Sequence, residues 1–179
     1  PIREAYGRTD CAKQLGYHAG DFSFNSGNGR CEACMGLGYE QVEMQFLSDV
    51  QVPCGQCEGK RFKDEILEIK LDNLSIAQTL NLTIDQAYKK FARFPKTFRK
   101  LEMLKKVGLG YLALGQPLNT LSGGESQRLK LIKYMTLLKK GLNPSLLLID
   151  EPTTGLHFQD ISKLINCLSE ILETGHSLV

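Results

Sequence analysis

Two C-x-x-C pairs, Cys31 with Cys34 and Cys54 with Cys57, stand nineteen residues apart, Met35 to Pro53 between them. This is the spacing of a structural tetrahedral zinc site, in which each pair sets two thiolates on one tight knuckle and the intervening hairpin brings the knuckles face to face. Gly36 and Gly38 follow the first knuckle, and Gly55 and Gly59 stand in the second, where positive φ angles are needed. Four protein ligands close the shell and leave no position for a reactive water, so the metal is structural and its loss unfolds the module. Free thiols or two redox pairs are the alternatives. A redox pair requires a thiol pKa lowered at a helix N-terminus, and neither pair opens a helix. Cys11 and Cys167 stand alone, and a secreted disulfide scaffold is shorter and denser in cysteine, which points to a reducing, cytoplasmic compartment.

The 179 residues are 42% hydrophobic and 23% charged, enough for one sizeable core with an appended module. A net charge of +2 specifies no partner. No apolar run approaches the length of a membrane span, so no membrane partner is expected, and no export signal opens the chain. The chain begins at Pro1 and ends in "GHSLV", which reads as a strand just starting. A piece of a longer protein is expected.

Four stretches, 1–27, 28–75, 76–120 and 121–179, differ in residue pattern. In the first, Phe22 to Asn25 is a short strand candidate. In the second, Val42, Met44 and Phe46 alternate with polar residues as in a half-buried strand, Leu47 to Asp49 suggest a turn, Val50 and Val52 a return strand, and Leu67, Ile69 and Leu71 a further alternation. In the third, Thr83 and Gln86 form a capping box before a helix with Ile84, Ala87, Tyr88 and Phe91 on one face. A second helix after Pro95 carries Phe98, Leu101 and Leu104. In the fourth, a helix with Leu129, Ile132, Met135 and Leu138 on one stripe precedes "SLLLID", a buried strand ending in an acid. A last helix carries Ile161, Leu164, Ile165, Leu168 and Leu172, and the order strand, helix, incipient strand makes an α/β ending.

Residues 30–63 hold four basic against five acidic residues, so any phosphate-binding surface of the cysteine module rests on Arg30, Lys60 and Arg61 clustered near the knuckles. Residues 89–106 hold eight basic residues against Glu102 alone. They are a second candidate surface, although a solvated face is the commoner meaning of such a run.

Ser122, Gly123, Gly124 and Glu125 form a second capping box, S-x-x-E. A good cap accounts for Ser122 and Glu125. It does not account for two glycines in the first turn, where they weaken a helix. Their bareness clears the helix mouth so that its N–H groups and dipole can meet an anion such as a phosphate. Twenty-two residues after Arg128, the apolar strand ends in Asp150 and Glu151. In nucleotide hydrolases a carboxylate so placed holds Mg²⁺ and its neighbour activates water.

"LSGGESQR" followed by "LLLIDEPTTGLH" resembles the signature motif, Walker B strand and D-loop of ATP-binding-cassette ATPases. The resemblance implies that Ser122, Gly123, Gly124 and Gln127 face ATP held by another module, that Asp150 serves Mg²⁺ and that Glu151 is the catalytic base. Thr153 to His157 would be the D-loop, although "TTGLH" departs from the "SALD" of transporters. With "FSFNSGNGRCEACMGLGYEQVEMQFLSDVQVPCGQCEGKRF" and "VGLGYLALGQPLNTLSGGESQRLKL" the likeness narrows, over almost the whole chain, to the second ATPase half of the UvrA family, the damage-sensing subunits of bacterial UvrABC excinucleases. That family implies an α/β fold: a partial cassette core with a helical signature subdomain and an inserted zinc-binding β-hairpin module held by four cysteines. Residues 1–27 would end the N-terminal part of the core, 28–75 be the zinc module, 76–120 the helical signature domain and 121–179 the truncated core. It implies zinc, ATP with Mg²⁺, damaged double-stranded DNA, UvrB and a homodimer. The chain lacks G-x-x-x-x-G-K-[ST], the Q-loop is not evident, and His176 precedes the last strand where the switch histidine should follow it. The segment alone is therefore expected to be inactive. The rivals are a UvrA-like paralogue or another cassette ATPase in transport or drug resistance, and a zinc-stabilised module like the cysteine-rich region of DnaJ chaperones. The last leaves "SGGE" and "IDEP" unexplained.

Overall fold

The computed structural model describes residues 1–44, 50–138, 143–156 and 158–179, which form a mixed α/β chain dividing into two compact units, Pro1–Asn81 and Leu82–Val179. The first unit holds α1 (Ile2–Gly7), α2 (Asp10–Gln14), the antiparallel strands β1 (Tyr39–Val42) and β2 (Val50–Pro53), α3 (Asp64–Glu68) and α4 (Ile76–Asn81). Tyr6 is its hub. Fully buried, it stacks at 5.2 Å on Phe22 and hydrogen-bonds Thr79 Oγ1 (2.7 Å) and the Leu74 carbonyl (2.8 Å), joining α1 to α4. Burial pushes its phenol up to about 12.

Three strand expectations change here. Phe22 to Asn25 forms turns, because its backbone bonds locally (Ser23 N–H to Gly20 O, Gly27 N–H to Ser23 O) while Phe22 is drawn into the core. Leu67, Ile69 and Leu71 do not continue a strand. Asp64 and Glu65 favour a helix N-terminus, and α3 runs to Glu68 with Ile66 and Ile69, three apart, on the buried side. The hairpin β1–β2 exists in register Tyr39 with Pro53 to Val42 with Val50, but Val42, Val50 and Val52 are exposed, so it is not half-buried. Phe46 and the turn at 47–49 lie outside the described residues.

The second unit holds α5 (Ile84–Lys90), α6 (Pro95–Lys106), a 3₁₀ turn (Leu118–Thr120), α7 (Gly123–Leu138), β3 (Leu146–Leu147), α8 (Phe158–Glu173) and β4 (Ser177–Leu178). The Thr83 capping box forms as expected, with Gln86 N–H on Thr83 Oγ1 (3.2 Å) and Thr83 N–H on Gln86 Oε1 (3.0 Å). The next orphan donors, Ile84 and Asp85 N–H, bond the Leu112 and Gly110 carbonyls. Strands β3 and β4 pair in parallel through the α8 crossover, the βαβ connection that the last stretch predicts.

The helix faces match expectation at Met135 and Leu164 and differ elsewhere. Among the described residues, α7 buries Arg128, Leu131 and Met135, with Leu129 and Ile132 only half-buried, and the side chain of Leu138 lies outside them; α8 buries Leu164, Cys167 and Ile171, with Ile165 and Leu172 exposed. Strand β3 is not buried either: Leu146 and Leu148 are exposed, since β4 is its one partner among the described residues. Buried His176 accepts the Ser145 N–H on Nδ1 (3.2 Å), which fixes the entry to β3. No helix among the described residues is long and apolar enough to cross a membrane.

Candidate metal centre and Gly-Gly turn

The four cysteines of the doubled motif converge. Cys31, Cys34, Cys54 and Cys57 are each at most 4% exposed, and their Sγ atoms all lie within 4.8 Å of one another. Cys31 and Cys54 Sγ stand 4.0 Å apart, and Cys34 and Cys57 Sγ 3.6 Å. Zn–S bonds of about 2.3 Å arranged tetrahedrally give S···S edges of about 3.8 Å. The cluster has the size of a zinc shell.

The two knuckles share one backbone pattern. Met35, Gly36 and Gly38 have positive φ, and so do Glu58, Gly59 and Arg61. In each, the N–H four residues after the second cysteine donates to its sulfur: Gly38 to Cys34 (3.2 Å) and Arg61 to Cys57 (3.3 Å). Gly36 has a further reason, since a Cβ there would stand 1.9 Å from the Phe24 carbonyl oxygen. Burial pushes the Cys57 thiol up to about 12 and the Cys31 thiol up as well. At Cys34 burial acts the same way, but the Gly38 N–H and the bonds that follow it outweigh burial and hold that thiol below its ordinary value. Four buried thiolates without a cation would be costly, and a divalent ion removes that penalty. All six cysteines are free of disulfides.

The basic residues beside the knuckles have internal partners. Arg30 donates to the Asn25 carbonyl (3.0 Å), Lys60 pairs with Glu58 (2.8 Å), and Arg61 lies 5.1 Å from the centre of the Phe24 ring. Lys63 likewise pairs with Glu32.

In the second unit the Ser122 box closes: Ser122 N–H donates to Glu125 Oε2 (2.7 Å) and Glu125 N–H to Ser122 Oγ (3.3 Å). Tyr111 Oη donates to the other carboxylate oxygen, and this bond, followed by that of the Ser122 N–H, holds the Glu125 carboxyl below the usual carboxylate range. The glycines separate here. A Cβ on Gly124 would stand 2.6 Å from the Thr154 carbonyl oxygen, whereas a Cβ on Gly123 would meet nothing within 4 Å among the described residues. Gly124 thus has a packing reason inside the chain, and Gly123 has none.

Gln127, read as facing a nucleotide, donates from Nε2 to the Asp150 carbonyl (2.6 Å), and Arg128 donates from Nη1 to the Thr154 carbonyl (3.0 Å). These two bonds tie the start of α7 to the segment after β3. Asp150 and Glu151 are exposed; Glu151 has φ +40° and accepts from Thr154 Oγ1 (3.1 Å). Gly123, Gln127 and Asp150 line one open cleft of about 580 Å³. His157 lies outside the described residues. Arg128, Tyr111 and Thr154 were not singled out by motif reading. The available signal was an arginine on the buried side of a helix, 1% exposed, with Nε and Nη2 unpartnered among the described residues.

The geometry defines a class: a chain with a closed four-cysteine metal shell and, in a separate unit, a bare capped helix mouth beside a strand ending in two acids. No family model matches the chain. It is 48% identical to UvrABC system protein A of Methanothermobacter thermautotrophicus and 51% identical to that of Clostridium acetobutylicum, over 99% of this chain and 18% and 19% of those proteins. A crystal structure of UvrA2 from Deinococcus radiodurans superposes with a TM-score of 0.89 at 44% identity, covering 99% of this chain and 22% of that one. The chain is thus homologous along its length to a segment of UvrABC system protein A, and spans about one fifth of the curated relatives it matches.

Proposed function

We propose that the chain is a segment of a DNA-damage recognition ATPase of nucleotide excision repair, a cytoplasmic protein that binds damaged double-stranded DNA and ATP, works as a homodimer and loads UvrB. The second unit is read as part of an ATP-binding-cassette core with its helical signature region, and the four-cysteine hairpin as its inserted zinc module. The main support is one juxtaposition: Gly123 of the capped turn and Asp150 of the acidic strand end line a single cleft, in a chain that also carries a complete thiolate shell.

Cys31, Cys34, Cys54 and Cys57 hold zinc, which cross-links the module and does no chemistry. ATP with Mg²⁺, when bound, supplies the phosphoryl group. The open space at Gly123 leaves the N–H groups and positive pole of α7 available to phosphate oxygens from a facing module, with the Ser122 hydroxyl and Gly124 beside it. Asp150 would hold the Mg²⁺ that neutralises phosphate charge. Glu151 takes the proton of the attacking water; the Thr154 hydroxyl orients its carboxylate, and its positive φ is the kind of local strain that marks working sites. Gln127 and Arg128 keep the turn and the acidic segment in register.

In the full-length protein Glu151→Gln is expected to lower ATP turnover by about 10²–10⁴-fold while ATP still binds; near-normal hydrolysis assigns the base elsewhere. A second reading, a UvrA2-type paralogue, draws on the structural match to UvrA2. Rescue of excision repair in cells lacking the repair subunit separates the two.

A further inference from the structure

We infer that the hairpin of α5 and α6 is a docking surface for the phosphate backbone of duplex DNA; this rests on the DNA-binding reading above and locates the contact. The structure sorts the eight cations of residues 89–106 into two groups. Lys105 pairs with Asp85 (2.9 Å) over the Tyr88 ring (4.3 Å), and Lys106 pairs with Glu170 (2.9 Å). Lys89, Lys90, Lys96, Arg99 and Lys100 are exposed and make no ion pair among the described residues, and exposed Arg93 stands over Phe94 at 5.3 Å.

Their placement is that of a built surface. Lys89 and Lys90 end α5, and Lys96, Arg99 and Lys100 follow at i, i+3 and i+4 on α6, one face about 6 Å long. Underneath, Tyr88 and Phe98 stack at 4.4 Å, and Phe91, Thr97 and Leu101 are buried, so the backbone carrying the charges is already ordered. Helix α6 opens with Pro95, has no side-chain cap and no acid in its first turn, which adds its dipole to the same positive field.

A merely solvated helix face mixes signs, because Glu–Lys pairs at i, i+4 support it and like charges there weaken it. Lys96 with Lys100 is a like-charge pair at that spacing within α6. An external polyanion relieves this repulsion, and duplex DNA presents one negative charge per about 1.7 Å of axis. The knuckle cations Arg30, Lys60 and Arg61 have partners within their own module and fit that role less well.

The test is fluorescence anisotropy of the full-length protein on a labelled duplex across a salt series. Lys96→Gln/Arg99→Gln/Lys100→Gln is expected to bind about 10²-fold more weakly near ~0.1 M salt, with a log–log salt slope shallower by about 2–3. Lys96→Arg/Arg99→Lys/Lys100→Arg is expected to bind like the parent. A triple-Gln variant indistinguishable from a parent that binds duplex overturns this inference alone. Equal loss in the charge-retaining variant assigns the effect to packing and also overturns it. A parent that does not bind duplex overturns both this inference and the DNA-binding reading.

Discussion

The cysteine cluster and the Gly-Gly turn are both built from short motifs, but one is finished within the chain and the other is not. All four sulfurs come from one unit, are buried, and sit at the spacing that a single ion requires. Around Ser122 to Gly124 the chain supplies a cap, an open helix mouth and two exposed acids, of which Asp150 lines the same cleft as Gly123. A metal shell needs only donors of the right number and distance. Phosphoryl transfer needs a cradle, a cation and a base brought together, and on the proposed reading this chain supplies only some of those parts. On that reading the closed site acts on stability and the open one on turnover.

That contrast can be broken at several points. The largest effect is expected at the metal: Cys54→Ser, or a strong chelator, removes the ion and unfolds the module of the first unit, because apparent binding energies of about 10–16 kcal/mol become folding energy. Amide exchange that becomes fast around residues 29–62 while α5 to α8 stay protected is the expected result. A cluster that keeps its protection without metal would make the thiols ordinary core.

Next come the glycines. Gly124→Ala forces a Cβ against the Thr154 carbonyl, with an expected loss of about 1–3 kcal/mol by thermal unfolding. Gly123→Ala enters open space, so its stability should stay within about 1 kcal/mol of the parent while turnover of the full-length protein falls. Equal destabilisation by both would return Gly123 to a purely structural role.

The smallest effect concerns pH. The Glu125 carboxyl is held low by Tyr111 and then by the Ser122 N–H. Its contribution is complete above the ordinary carboxyl pKa and disappears as pH falls through the depressed value. The stability gap between the parent and Glu125→Gln is expected at neutral pH and should close in acid; a gap constant with pH would remove the charged cap from the account.

What the sequence made legible follows the same division. Ligand spacing, capping boxes and the βαβ ending depend on local geometry, and each appears where the motif stands. Tertiary choices were less visible. Phe22 to Asn25 has strand composition but turns so that Phe22 can meet Tyr6, and alternation at Leu67 to Leu71 was a helix end seen with the wrong period. Arg128 is buried on α7 beside Leu131 and Met135 and bonds the Thr154 carbonyl, and of these three only Met135 lies on the stripe visible in the sequence. Gly124 needed coordinates, because its neighbour is thirty residues away.

The most direct measurement is a structure of the full-length protein with Mg²⁺ and a non-hydrolysable ATP analogue. The account predicts the Gly123 N–H within hydrogen-bond reach of the terminal phosphate of a nucleotide held by a different module. A turn that stays in solvent, far from every phosphate, would contradict it.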